Sequence, residues 1–96
     1  MALNKPEKAL ILRVNRRLAA ASKKFGFPLH QLRTRRSHYK FGTEQTDLWN
    51  VETGQLVDED IRLIYYDGET RFEFRGKPRT ADVIVWLRKM HTANAA

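Results

Sequence analysis

Cationic and aromatic side chains fill residues 31–42, a stretch that reads QLRTRRSHYKFG and holds no acid. A guanidinium forms paired hydrogen bonds with a phosphate or with the edge of a guanine, and aromatic rings stack on exposed bases. The stretch is therefore a candidate contact with nucleic acid. The alternative is a basic loop whose aromatic residues close the core. We favour that alternative for Phe41, and contact with nucleic acid for Arg35 and Arg36. The candidate contacts here are Arg33, Arg35, Arg36, Tyr39 and Lys40.

A second group of cations lies on one face of a helix predicted over residues 6–25. Apolar residues recur every three or four positions from Leu10 to Phe25, and Gly26 is a typical helix stop. A solvated face would normally mix signs to gain pairs worth about 0.2–0.5 kcal/mol each. Here like charges gather instead, which favours an external anion over a plain solvated face. The cations are Arg13, Arg16, Arg17 and Lys24, with Lys8 and Lys23 further round the helix.

A third basic segment, RGKPR at residues 75–79, resembles the Arg-Gly-Arg-Pro core of AT-hook peptides. That resemblance implies an extended cationic strand in a narrow minor groove, where the negative potential attracts it. We favour the simpler interpretation that Gly76 and Pro78 form the turn between the last strand and the last helix. Arg75, Lys77 and Arg79 remain candidate contacts.

The two halves of the chain differ in charge. Residues 1–41 hold eleven Lys/Arg against Glu7 alone, a formal charge of +10, whereas residues 42–96 hold seven Lys/Arg and ten Asp/Glu, a charge of −3. Such an asymmetry predicts an acidic partner. DNA is the favoured partner and RNA a second one; an acidic host protein would also satisfy the charge. The sign difference would permit head-to-tail contacts in a homodimer.

Catalytic and metal-binding chemistry finds little support. The 96 residues contain no cysteine, and His30, His38 and His91 show no ligand spacing. No phosphate loop, nucleophile elbow or paired carboxylates appear. We expect a protein that is not an enzyme and holds no cofactor or metal. No apolar run approaches a membrane span and the N-terminus does not resemble a signal peptide, so we expect a cytoplasmic location and no membrane partner.

The fold expected is α+β, in a single domain over residues 1–96. Its basic helical part covers residues 1–41, with a short second helix from Pro28 that docks through Phe27, Leu29 and Leu32. Residues 35–46 lack periodicity and are expected to form a loop, with a short extended piece at residues 37–41.

A β-hairpin and a C-terminal helix are expected over residues 47–92. The segments DLWNV, IRLIYY and RFEFR predict one three-stranded antiparallel sheet, with turns at ETGQ and DGET. Thr80 is a good N-cap for the last helix, which packs on the sheet through Val83, Ile84, Leu87 and Met90, with Trp86 at one edge.

Residues 53–87 also resemble the strand–strand–helix segment of phage-type HNH endonucleases and their small DNA-binding relatives. The matching residues are Thr53, Gly54, Leu56, Gly76, Lys77, Ala81, Val85, Trp86 and Leu87. The family's catalytic His-Arg would fall at Asp82 and Val83, and no Asn-His pair follows in this sequence. The resemblance therefore implies a nuclease-like or DNA-binding scaffold, and not an active nuclease.

The function expected is non-enzymatic binding of nucleic acid. The protein would be a small phage or bacterial DNA-binding regulator or architectural protein that contacts phosphates through its basic N-terminal half. The alternative is a protein-binding inhibitor or adaptor, of the host-takeover or anti-defence type, that acts on an acidic or nucleic-acid-binding host protein.

Overall fold

The computed structural model describes residues 3–37 and 42–94, which form two helices and six strands. The class is α+β, with a helix at each end, as predicted. The strands form two antiparallel sheets of three, in chain order, and not the single sheet expected. The first sheet is β1–β3 and the second is β4–β6. The elements are α1 (Lys5–Phe25), β1 (His30–Arg36), β2 (Glu44–Asn50), β3 (Gln55–Asp58), β4 (Ile61–Tyr66), β5 (Glu69–Phe74), β6 (Lys77–Asp82) and α2 (Val83–Asn94).

The predicted first helix is confirmed, and both its ends are capped. The Asn4 side chain accepts a hydrogen bond from the backbone N–H of Glu7 at 2.9 Å, and the Glu7 carboxylate accepts one from the Asn4 N–H. This reciprocal pair is a capping box, and it satisfies two backbone donors that a helix start leaves unpaired. At the other end Gly26 has φ 76°, the left-handed conformation that glycine adopts without steric cost.

The predicted second helix is wrong, because residues 30–36 form strand β1. Its pairing with β2 runs from His30 opposite Asn50 to Arg36 opposite Glu44. The loop expected over residues 35–46 is therefore also wrong at both ends, and its extended piece lies largely outside the described residues. The edge of β1 is closed by α1. There the Asn15 side chain donates to the Leu32 carbonyl at 3.2 Å and accepts from the Leu32 N–H at 2.7 Å.

The second sheet contains the hairpin predicted from IRLIYY, DGET and RFEFR. Ile61 lies opposite Phe74 and Tyr66 opposite Glu69. Strand β6 was not predicted, and Thr80 lies within it, so the N-cap prediction is wrong. Asp82 has that role instead, because its carboxylate accepts the backbone N–H groups of residues 84 and 85 at 2.9 and 3.2 Å.

One apolar core lies between α1, both sheets and α2. Phe72 and Phe74 point into it as predicted, and Trp86 of α2 packs edge-on against both rings, with centroids 5.5 and 6.1 Å away. The predicted buried stripe of α2 is confirmed at Val83 and Leu87, which are both fully buried. The buried apolar residues are Val14, Leu18, Ala21, Phe27, Leu32, Leu48, Ile61, Phe72, Phe74, Val83 and Leu87.

Candidate nucleic-acid interface

The arginine-rich stretch forms most of β1, and its pairing places acids opposite its cations. Arg33 lies directly across from Asp47, and Arg36 directly across from Glu44. Opposite charges at facing positions of a sheet attract. Arg33 and Arg36 are both exposed, so they keep access to an external anion. The facing carboxylates of β2 nevertheless offset part of the positive charge of these two arginines.

The Arg35 side chain is bonded to two carboxylates of the protein itself. Its Nε donates to the Asp47 carboxylate, and its second terminal nitrogen lies 2.9 Å from the Glu59 carboxylate. Two carboxylates thus neutralise one guanidinium. The sequence favoured Arg35 as a contact with nucleic acid, whereas the structure gives it bonds that hold β1 to β2 and to the β3–β4 turn.

Asp47 is the centre of this polar network and is fully buried. Besides Arg35, it accepts hydrogen bonds from the Gln45 side chain and from the backbone N–H of Asp60, both at 3.0 Å. Asp60 in turn accepts the backbone N–H of Arg75 through its carbonyl, and its carboxylate lies 3.2 Å from the Arg75 guanidinium. The chain Asp47–Asp60–Arg75 therefore joins the first sheet to the second.

The RGKPR segment forms a hairpin turn and the start of β6, and not the strand-to-helix turn that we favoured. Arg75 bonds to Asp60, and the Arg79 guanidinium lies over the rings of Phe74 and Trp86, at 5.3 and 5.6 Å. Burial raises the pKa of the nearby Asp58 carboxyl, while the Glu59 N–H and the charges of Arg79 and Lys77 oppose that shift. This segment thus lies beside acids of its own chain.

The cations of α1 have a different setting. Arg16 and Lys23 are exposed, and the Arg13 guanidinium lies 4.8 Å from the centre of the exposed Tyr65 ring. Only Arg17 has a carboxylate partner among them in the described structure, with Asp82 at 3.2 Å. The predicted basic face of α1 is therefore largely available to a ligand.

Helix α2 extends this basic face with two cations that the sequence analysis missed. Arg88 lies over the Phe25 ring of α1 at 3.9 Å, and Lys89 follows it on the exposed side of α2. Both stand away from the buried Val83–Leu87 stripe, so helical spacing alone would have located them on the polar face. They were passed over because they lie in the net-acidic half of the chain.

Successive contacts set α1 and α2 side by side, running in the same direction. Arg17 meets Asp82 at the start of α2, Phe25 meets Arg88 in its middle, and Phe27 stacks on His91 near its end at 5.7 Å. We call the exposed cations of α1 from Arg13 onwards, together with those of α2, the two-helix surface. It comprises Arg13, Arg16, Lys23, Lys24, Arg88 and Lys89.

Acids are nearly absent from the two helices, whereas cations occur in helices and strands alike. Helix α2 contains no acid, and α1 contains only Glu7, which belongs to the capping box. The other ten acids of the chain all lie between Glu44 and Asp82, in the strands and their turns. The helices thus carry a formal charge of +8, from nine Lys/Arg and Glu7, whereas the strands and their turns hold cations and acids together.

Two histidines, one of them in α2, pack together near the C-terminal ends of these helices. His30 is fully buried, its Nδ1 donates to the Pro28 carbonyl at 2.7 Å, and its ring meets the His91 ring edge-on at 5.2 Å. The Nε2 atoms of both rings are buried without a hydrogen-bond partner in the described structure. Burial lowers the pKa of His30; the Pro28 hydrogen bond and the charge of Glu52 oppose this, and His91 reinforces it.

Two of the predicted contacts, Tyr39 and Lys40, lie outside the described residues. Within residues 3–37 and 42–94, no group of three or more His, Asp or Glu residues is arranged to hold a metal ion. Neither helix of that part combines the length and the hydropathy that crossing a membrane requires.

Comparisons with known proteins add no relative. No family model, curated protein or solved structure matches the chain. The likeness of residues 53–87 to the HNH-type segment therefore stays a prediction from sequence. An assignment of function has to rest on the charge, exposure and geometry of the chain itself.

Proposed function

We propose that this protein binds DNA without catalysing a reaction on it, through phosphate contacts made by the two-helix surface. The observation that carries the proposal is the grouping of the six cations of this surface on two adjoining helices that contain Glu7 as their single acid. A helix pair of this kind leaves like charges close together, which is unfavourable unless an anion neutralises them. DNA supplies closely spaced phosphates along its length.

The arrangement favours backbone recognition over reading of sequence. The two-helix surface presents Lys and Arg side chains, which hold a protein on phosphates. Base-specific contacts need side chains that are inserted into a groove of the DNA. Arg33 and Arg36 add a second contact region on β1. Arg35 and Arg75 are assigned structural roles in this proposal, because carboxylates of the protein already engage them.

The test is an electrophoretic or fluorescence binding series with blunt duplex DNA between about 50 and 200 mM salt. If all six cations contact phosphate, the log–log slope of the binding constant against salt should approach about −5, since each contact contributes about −0.9. A structured RNA in the same series separates DNA from RNA as the preferred ligand.

A matched pair of variants locates the surface. Arg16→Gln with Lys23→Gln removes two charges from α1, and Arg62→Gln with Arg71→Gln removes two from the outer face of the second sheet. The first variant should reduce the salt slope by about 2, and the second should leave it unchanged within error. Equal effects of both variants, or no binding to duplex DNA at low salt, would contradict the proposal.

A further inference from the structure

A groove opens where the two-helix surface ends, and its lining differs from the rest of that surface. It has a volume of about 460 Å³ and is lined by Phe25, Gly26, Phe27, Pro28, Arg88, His91 and Thr92. That volume lies within the range of about 300–1,000 Å³ typical of small-ligand sites. Phe25, Phe27 and Pro28 give the groove apolar surface, which contributes nothing to phosphate binding.

The aromatic groups in the groove form a continuous stack. Phe25 and Phe27 lie nearly parallel, with centroids 6.5 Å apart and an angle of 13° between their planes. Phe27 lies nearly parallel to His91, at 5.7 Å and 8°. The Arg88 guanidinium covers Phe25 at 3.9 Å from the ring centre. A guanidinium held on a ring in this way is a planar platform of the kind on which nucleobases stack.

The outer end of the stack faces solvent and is surrounded by charge. Phe25 is 40 % exposed, which is unusual for a phenylalanine beside a core. The Lys24 ammonium lies 5.4 Å from the same ring, and Lys23 and Lys89 are exposed nearby on the two helices. The groove also offers a polar group for a base edge, because the exposed Thr92 is part of its lining.

We propose that this groove binds an unpaired nucleobase, stacked on the Arg88 guanidinium that covers Phe25, while Lys23, Lys24 and Lys89 hold the phosphates on either side of it. This inference rests on the proposed binding of DNA and deepens it. A base inside a duplex has neighbours on both faces and cannot stack on a protein side chain. The preferred ligand is therefore DNA with a single-stranded end or gap.

The test compares three ligands that present the same duplex: one blunt, one with a short single-stranded overhang, and one with an abasic overhang of equal length. The abasic overhang keeps the phosphates and removes the bases. The overhang with bases should bind at least about fivefold more tightly than the abasic one, because stacking on a protein side chain contributes at least that factor per base.

Arg88→Lys is the diagnostic variant, since it keeps the charge and loses the planar guanidinium. It should lower affinity for the overhang with bases at least about fivefold more than it lowers affinity for the blunt duplex or for the abasic overhang. Arg62→Lys, on the outer face of the second sheet, is the matched control and should change none of the three. Circular dichroism of both variants verifies that the fold is retained.

The possible failures are distinct. If the blunt duplex binds in a salt-dependent manner and both overhangs add the same affinity, the groove does not hold a base, while the proposed function stands. If Arg88→Lys weakens all three ligands equally, Arg88 acts as a charge and the inference is overturned. If no ligand binds, the proposed function itself is wrong.

Discussion

The rings of His30 and His91 meet edge to face beneath the ends of the two helices, with their centroids 5.2 Å apart. His30 comes from the first strand and His91 from the last helix, so this contact joins two elements that are far apart in the sequence. Neither Nε2 has a hydrogen-bond partner in the described structure, and the His30 ring is fully buried. An added proton on His30 would have to be accommodated beside another imidazole.

Folding stability should therefore fall as the pH is lowered. The pKa of His30 is lowered in the folded state, mainly by burial, so below about pH 6.5 the unfolded chain takes up a proton that the folded chain does not. The stability present above pH 6.5 is lost progressively as the pH falls towards the folded pKa. The loss from this group reaches at most about 1.4 kcal/mol per pH unit.

Urea unfolding of the protein and of His30→Asn at several pH values between about 5 and 8 measures this effect. Asparagine keeps a donor for the Pro28 carbonyl and does not titrate. The variant should lose less stability on acidification than the natural chain. Equal pH slopes for the two proteins would show that other groups cause the acid sensitivity.

Replacing Asp47 should weaken the junction between the sheets. Its carboxylate is fully buried and accepts from Arg35, Gln45 and the Asp60 N–H. Asp47→Ala should lower the free energy of unfolding by about 3 kcal/mol, because it leaves three polar groups without their acceptor. Glu59→Gln is the control: its carboxylate is 41 % exposed, and the change should cost less than about 1 kcal/mol. Denaturant unfolding gives both values; a similar cost for the two would contradict the role assigned to Asp47.

Asn15→Ala should open the edge of the first sheet. The Asn15 side chain completes the two backbone hydrogen bonds of Leu32 that no neighbouring strand can make. Its loss should cost about 1–3 kcal/mol, since both backbone groups are part-buried. Amide hydrogen exchange at Leu32 should become faster in the variant. Lys8→Ala, at an exposed position of the same helix, should change stability by less than about 0.5 kcal/mol; unchanged exchange at Leu32 in Asn15→Ala would rule out the clamp.

Asp82→Asn should raise affinity for DNA while preserving α2. Asparagine is as good an N-cap as aspartate, so the bonds to the N–H groups of residues 84 and 85 can persist. The change removes the acid that engages Arg17. One further cation then becomes available to phosphate, and the salt slope should steepen by about 0.9.

Asp82→Ala provides the comparison for this prediction. It frees Arg17 in the same way but removes the cap, which should lower stability by about 1 kcal/mol relative to Asp82→Asn. Weaker DNA binding by Asp82→Asn, with its fold intact by circular dichroism, would argue against the two-helix surface as the binding site.

The sequence was sufficient for the elements whose buried positions are apolar. Helix α1 has a regular stripe ending at a glycine, and the β4–β5 hairpin alternates around an Asp-Gly turn; both were predicted correctly. Strand β1 was predicted as a short helix followed by a loop. Strand β2 was predicted only from Asp47 onwards, because its first buried positions are polar. Gln45, Thr46 and Asp47 are all buried, and such residues give a loop-like pattern until their hydrogen-bond partners are known. Strand β6 was also missed, because its first four residues are all exposed and do not alternate between apolar and polar.

The candidate site was predictable only in part for a related reason. The basic face of α1 follows from helical spacing within one element. The neutralisation of Arg35 by Asp47 and Glu59, in contrast, depends on strand pairing and on a turn more than twenty residues away in the chain. The contribution of Arg88 depends on its packing against Phe25. Such long-range relationships are fixed by tertiary packing, which local patterns do not contain.

The excess of cations on the helices, beside sheets that hold cations and acids together, gives the molecule an electric dipole. In the field of an extended polyanion, a freely tumbling dipole is turned before contact, with its positive end leading. The protein should thus arrive helices first, and most encounters should begin in a productive orientation. Electrostatic guidance of this kind raises association rates above those of uncharged surfaces, so the ten acids in the sheets contribute to capture without touching the ligand.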